Sequence, residues 1–312
     1  MPLDPMVKTF LDQASAWPRP RMGDMPLSLA RQGFAQMMAM VGAHNVPVGK
    51  VQNFNIPGPG GDIRARSYAP VAAGGSAHPA LVYFHGGGFV VGDLDTHDGL
   101  CRQMAEEGGF IVVAVDYRRA PESKWPAQVD DGYAAMRWIF ENAPSLGIDA
   151  GRIAIGGDSA GGMLAAAVTQ RAKAQGGISI AFQMLLFPVT DFAANSGSMD
   201  RFAVGYFLEK QTIEWCHAQV LPDGADRAKA SPLHARDFSG LPPAFVMLGG
   251  YDPLHDQGLA YAEKLKAAGV ATVIADYSDM VHCFIYLESV LPQAHEALAR
   301  AAAAVAKALD KA

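Results

Sequence analysis

The chain has 312 residues, half of them hydrophobic and 18% charged, and its 25 basic and 31 acidic side chains leave a net charge of −6. That balance suits one large folded domain with an insertion. It argues against nucleic acid or an anionic membrane as partner, because both ask for clustered Lys and Arg. No apolar run approaches the ~18 residues of a membrane span, so no stable membrane insertion is expected. Three scattered cysteines, Cys101, Cys216 and Cys283, form no Cys-x-x-Cys pair. They point to a reduced compartment and away from a metal site. Residues 1–13 carry Asp4, Lys8 and Asp12 and no secretory apolar core, so a cytoplasmic location is expected.

Residues 1–45 read as helical. Phe10 and Leu11 share a short helical face, Pro18, Pro20 and Pro26 interrupt the chain, and Leu29, Phe34, Met37, Met38 and Val41 form a second apolar stretch. The methionines fit either a substrate channel, where an unbranched thioether adapts to varied shapes, or ordinary packing. From Val46 to Tyr68 the pattern shortens to alternating segments around Pro57-Gly58-Pro59-Gly60-Gly61, a strand, a tight turn and a second strand. Pro70 to Pro79 is a loop of small residues.

Ala80–Phe84 is the next predicted strand, and it runs into His85-Gly86-Gly87-Gly88-Phe89. Three glycines in a row bury nothing and lose conformational entropy on folding. They make sense where backbone N–H groups must approach a ligand, as in the oxyanion loop of lipases and esterases. The expected donors are the Gly86 and Gly87 amides together with Ala160. His85 is expected to hold the loop by hydrogen bonds rather than to move protons.

A short amphipathic helix over residues 100–107 precedes Phe110–Val115, a fully apolar strand of the kind found in parallel sheets covered on both faces. After the loop Asp116–Glu122, the stripe Val129, Tyr133, Met136 and Phe140 predicts a helix. Arg152–Ile155 then leads into Gly156-Gly157-Asp158-Ser159-Ala160-Gly161-Gly162, and a strong helix former follows. A strand that becomes a helix across one serine, with Gly157-x-Ser159-x-Gly161, is a nucleophile elbow. Side chains at the two glycine positions would crowd the neighbouring strands. The turn lifts the Ser159 hydroxyl out of the sheet and sets the Ala160 amide at a helix start, where developing negative charge is favoured. The plainer alternative is a glycine-rich connection with an incidental serine.

Phe182–Phe187 is a further predicted strand, and the alternation gives a doubly wound α/β sheet, mostly parallel, with helices on both faces. It lapses from Phe192 to about Lys229, which reads as a helical insertion over the carboxyl ends of the strands or as a peripheral appendage. The strand Ala244–Leu248, a helix carrying Leu259, Ala262 and Leu265, the strand Thr272–Ala275 and an alanine-rich final helix complete the chain. The predicted core is 46–191 and 229–312, with a cap formed by 1–45 and 192–228.

A serine hydroxyl is a weak nucleophile until an oriented base takes its proton. In this fold the order is Ser, acid, His, each on a loop after a strand. Asp252 follows one strand and His282 another, so both are expected on the same rim of the sheet as Ser159. Asp191 is the second choice for the acid. His255 and Asp256 are expected to face solvent or pair locally. His44, His78, His97, His217, His234 and His295 have no strand-end placement.

Taken in order, the His85–Gly88 loop, the Gly157–Gly162 elbow, Asp252-Pro253-Leu254 and His282-Cys283-Phe284 resemble the bacterial hormone-sensitive-lipase family of carboxylesterases. Tyr117–Glu122 and Pro188–Asp191 resemble that family's segments at the corresponding places. The resemblance runs from about Val46 to the C-terminus. It implies an α/β-hydrolase core with a helical cap, no cofactor and no metal, and hydrolysis of short- to medium-chain acyl esters. It also implies Ser159 as nucleophile, His282 as base and then acid, Asp252 as orienting carboxylate, and a homodimer through the edge of the sheet. Cys283 stands where the family usually has glycine, which implies added sensitivity to thiol reagents. Arg119 stands where leucine is common. An amidase or lactonase with the same triad, or a binding protein on the same fold, are the competing readings; the presence of His282 argues against the second.

Overall fold

Apolar runs without alternation become strands covered on both sides, and alternating or more polar runs become the half-exposed strands toward the two edges of the sheet. In the computed structural model, which describes residues 1–16, 20–44, 46–72 and 77–310, these are β1 (Lys50–Gly58), β2 (Gly61–Ala69), β3 (His78–Phe84), β4 (Ile111–Asp116), β5 (Ile148–Asp158), β6 (Phe182–Leu186), β7 (Ala244–Tyr251) and β8 (Thr272–Val281). Pro18 and residues 73–76 of the Pro70–Pro79 loop lie outside the described residues. The strands form one sheet in the order β1-β2-β4-β3-β5-β6-β7-β8. β2 pairs antiparallel with both neighbours, and every pair from β4 to β8 is parallel. The expected mostly parallel sheet is therefore what the chain builds.

Its helices are α1 (Pro5–Ser15), α2 (Leu27–Val41), α3 (Asp98–Gly108), α4 (Ala127–Glu141), α5 (Ala160–Gln175), α6 (Gly197–Arg201), α7 (Lys210–Val220), α8 (His255–Ala267) and α9 (Pro292–Leu309). The pleat sends successive strand residues to opposite faces. Val82, Phe84, Val113, Ile155 and Val246 pack with Met136 of α4, Leu164 of α5 and Leu265 of α8. Leu81, Tyr83, Val112, Ala154 and Met247 pack on the other face with Met104 of α3 and Leu298 and Val305 of α9. Each buried Val, Leu or Phe contributes about 1.5–3 kcal/mol. Ala294, Ala297, Ala301 and Ala302 of α9 are fully buried, so small side chains let this helix lie close to its neighbours. Leu291 immediately precedes α9, and Pro292 opens it at a first-turn position, where a missing backbone N–H costs nothing.

One strand end and one helix face differ from the expected ones. β8 continues past Ala275 through Asp276, Tyr277 and Ser278, pairing with β7 as far as Val281. Backbone pairing persists at this sheet edge although the side chains turn polar, and it delivers His282 at the strand's end. Leu29 of α2 is exposed, so it does not belong to the apolar face of that helix. The N-terminal segment is tied to the same rim: Asp4 caps α1 through the Met6 amide at 2.7 Å, and its own amide donates to the Asp279 carbonyl at 3.0 Å. Arg31 of α2 makes a two-point ion pair with Glu122 and donates to the carbonyls of Val90 and Ala120.

Candidate active site

Ser159 sits between β5 and α5 with φ 52° and ψ −115°, a conformation that side-chain-bearing residues rarely adopt. Such strain costs about 1–3 kcal/mol and persists only where the surroundings impose it. Here its amide donates to the Leu186 carbonyl at 2.9 Å, and its own carbonyl accepts from Met163 and Val189, both at 3.1 Å. The flanking glycines have the steric reason expected of them. A Cβ on Gly161 would strike the carbonyl oxygens of Phe84 and His85, and one on Gly157 would strike Gly161.

The parallel order β5, β6, β7, β8 brings three strand ends to one rim. There His282 Nε2 lies 3.1 Å from Ser159 Oγ, and His282 Nδ1 lies 2.6 Å from Asp252 Oδ2. The other Asp252 oxygen accepts from the Leu254 amide at 2.8 Å, which fixes the carboxylate. All three side chains are buried. A carboxylate on Nδ1 holds the ring proton there, leaving the Nε2 lone pair toward the hydroxyl. Asp191 is turned elsewhere: it lies 3.1 Å from His234 Nε2 and accepts from the Ala193 amide. His255 pairs locally, 3.0 Å from Asp256 and 3.4 Å from Asp276.

The glycine loop departs from expectation by one residue. The Gly86 amide points away from the serine and donates to Asp158 Oδ1 at 2.9 Å. It is already engaged, so it is no donor to an oxyanion. The amides of Gly87, Gly88 and Ala160 make no hydrogen bond within the described chain, and all three residues line the cavity beside Ser159. Positive φ at Gly87 and Gly88, 102° and 62°, turns the loop so that this is possible.

Behind the loop lies a buried polar cluster that sequence reasoning missed. Asp158 accepts from the Tyr83 hydroxyl at 2.6 Å as well as from Gly86, and His97 Nε2 lies 3.5 Å away. Burial alone would raise this carboxyl, but His97 and the donated hydrogen bonds outweigh it and hold it below the usual range. Tyr286 faces the same carboxylate without a hydrogen bond of good geometry. No local signal marks His97, because its partners are distant in the chain. His85 does hold the loop: its ring stacks on Tyr117 at 4.3 Å, and its carbonyl accepts from the Tyr117 hydroxyl at 2.6 Å. Burial, then the nearby His97, pushes His85 down to about 4.

Cys283 has φ 58°, which explains why glycine is usual there. Burial, then the Asp158 and Asp252 carboxylates, pushes its thiol well up. The thiolate is disfavoured, while the side chain itself is half-buried and lines the cavity beside the base. Arg119 donates to the Gly92 carbonyl at 2.7 Å and so braces the turn after the glycine loop.

A cavity of about 610 Å³ opens onto the serine. Met37 and Met38 of α2 and Ile213 of α7 line it together with Ser159 and His282, so the methionines face the channel. Among the described residues, no group of three or more His, Cys, Asp or Glu is placed to hold a metal ion, and no helix is long and apolar enough to cross a membrane.

The family model for the alpha/beta hydrolase fold matches residues 81–286. Carboxylic ester hydrolase LipN of Mycobacterium tuberculosis is 46% identical over 245 residues, covering 76% of this chain and 65% of that protein. An ethyl acetate hydrolase of Pseudomonas putida is 43% identical over 225 residues, 71% of each chain. Among solved structures, the ester-hydrolase EH1AB1 from the metagenome of Lake Arreo superposes with a TM-score of 0.95 at 42% identity, covering 98% of both chains. The hyperthermophilic esterase from Pyrobaculum calidifontis gives 0.93 at 38% identity, covering 98% of this chain and 99% of its own. Fold, ordered motifs and relatives agree: the chain belongs to the hormone-sensitive-lipase-type carboxylic ester hydrolases of the alpha/beta-hydrolase fold.

Proposed function

We propose that the protein hydrolyses esters of short- to medium-chain acids through an acyl-enzyme. Ser159 is the nucleophile, His282 the base and then the acid, and Asp252 the carboxylate that orients it. The single observation that carries this reading is the unbroken path from Asp252 through His282 to Ser159, at 2.6 and 3.1 Å. As Ser159 Oγ attacks the ester carbonyl, its proton passes to His282 Nε2. The carbonyl oxygen gains negative charge within reach of the Gly87, Gly88 and Ala160 amides; losing one such donor costs about 2.7–4 kcal/mol of transition-state stabilisation. His282 then protonates the departing alcohol. It next takes a proton from water, which attacks the acyl carbonyl, and returns that proton to Ser159 Oγ as the acid leaves.

Residues 46–191 and 229–312 act as the catalytic core, and 1–45 with 192–228 as the cap that shapes the cavity. Support for this division comes from α2 and α7, which line the cavity opposite the strand ends. A cytoplasmic location belongs to the same reading, in keeping with three free cysteines. The test is a p-nitrophenyl ester series from acetate to laurate with wild type and Ser159→Ala, combined with mapping of a fluorophosphonate label. Labelling at Ser159, a rate that falls with acyl length and a loss of about 10⁴-fold or more in the variant are expected. Unchanged activity of purified Ser159→Ala would end the proposal.

A further inference from the structure

One polar ring stands in the cavity wall without a role in the path above. His217 of α7 is 8% exposed and lines the cavity. Its ring meets Phe192 edge-to-face, with centroids 5.0 Å apart. Its nitrogens make no hydrogen bond to any described residue. The two charged groups nearby are engaged elsewhere. Asp191 lies 3.1 Å from His234, and Arg227 donates to the Phe192 carbonyl at 3.3 Å. Burial, then Arg227, pushes His217 down to about 4, so near neutral pH the ring carries one N–H and one lone pair.

Its position is close to the chemistry. The preceding residue, Cys216, backs onto the glycine loop, since a Cβ on Gly88 would meet its sulfur. The segment that carries Phe192 begins at Val189, whose amide donates to the Ser159 carbonyl. The His217 nitrogens are not among the sealed atoms that lack a partner, so they remain open on the cavity side, where a bound substrate would displace the water that hydrates them and must replace its hydrogen bond. A ring that no described residue pairs, in the wall of a substrate cavity, is placed to be paired by the substrate.

We infer that His217 is a specificity-determining residue that hydrogen-bonds an oxygen carried by the substrate near its scissile ester, so that oxygen-bearing esters are preferred over hydrocarbon ones of equal shape. This rests on the esterase reading above. The oxygen lies on the acyl or on the alcohol side, and two isosteric pairs separate these. Ethyl methoxyacetate is compared with ethyl butanoate, and 2-methoxyethyl acetate with butyl acetate. The kcat/KM ratio of ether to alkyl ester is measured for wild type, His217→Phe and His217→Gln; comparing ratios between proteins cancels the intrinsic reactivity of each ester.

In one pair the wild-type ratio is expected to exceed that of His217→Phe by about 2- to 10-fold, the worth of one hydrogen bond, with His217→Gln retaining most of it. Ratios that agree within about twofold between wild type and His217→Phe in both pairs would overturn the inference. So would equal falls in the Phe and Gln variants, which would mark a packing role. Failure of the wild type to hydrolyse any of the four esters would instead refute the esterase reading, and this inference with it.

Discussion

Asp252→Asn keeps the shape of the side chain and removes its charge. The carboxylate lies 2.6 Å from His282 Nδ1, with side-chain exposures of only 1% and 4%, so solvent does little to screen the pair. An imidazolium forming with its charge ~4 Å from a carboxylate is favoured by about 4 kcal/mol at an effective dielectric constant of ~20. That alone is a factor of about 10³ in rate. Geometry adds to it. The Leu254 amide already donates to Asp252 Oδ1, so an asparagine keeps its carbonyl there and turns its NH₂ toward His282 Nδ1. Two donors cannot face each other, so the ring proton moves to Nε2, and that tautomer cannot accept the Ser159 proton. The expected loss in kcat is about 10³- to 10⁴-fold, with KM little changed. The assay is p-nitrophenyl butyrate hydrolysis from pH 6 to 10, with thermal melts as the folding control and Asp191→Asn as the comparison. A loss below about tenfold in a folded Asp252→Asn, or an equal loss in Asp191→Asn, would refute the reasoning.

Gly161→Ala sets a methyl group against the carbonyls of Phe84 and His85, which are backbone and cannot step aside cheaply. Urea unfolding should show a loss of about 1–3 kcal/mol together with a fall in activity, and an unchanged midpoint and rate would contradict the close approach. Acid sensitivity follows from two buried rings. His85 and His217 are held at about 4 in the folded chain, against ~6.5 in an unfolded one. Between these values the unfolded chain binds protons that the fold refuses. Stability is therefore unaffected by these rings above pH ~6.5 and falls as pH drops toward ~4, by up to ~1.4 kcal/mol per pH unit for each. Urea titrations at pH 7, 6 and 5 should show His217→Phe with the shallower slope; identical slopes would count against burial of a neutral His217.

The elements that repeat a local rule were legible in the chain itself. Unbroken β-branched apolar runs such as Ile111–Val115 favour strands covered on both faces, and Gly157-x-Ser159-x-Gly161 between a strand and a helix favours a sharp turn that lifts the hydroxyl out of the sheet. Because parallel strands share one direction, residues that follow β5, β7 and β8 must meet at one rim, which is why Asp252 and His282 could be picked out from their spacing. What escaped depends on neighbours in space. Gly86 and Gly88 are alike in sequence, yet the Asp158 carboxylate takes the amide of one and leaves the other facing the cavity. His97 and His217 have no marker of their own; one is defined by Asp158, the other by the lack of a partner among the described residues in the cavity wall. Steric rules of the backbone act over a few residues and can be read in order along the chain. The direction of a donor and the company of a buried ring are set by contacts between segments far apart in it, and those exist only once the sheet and its covering helices have come together.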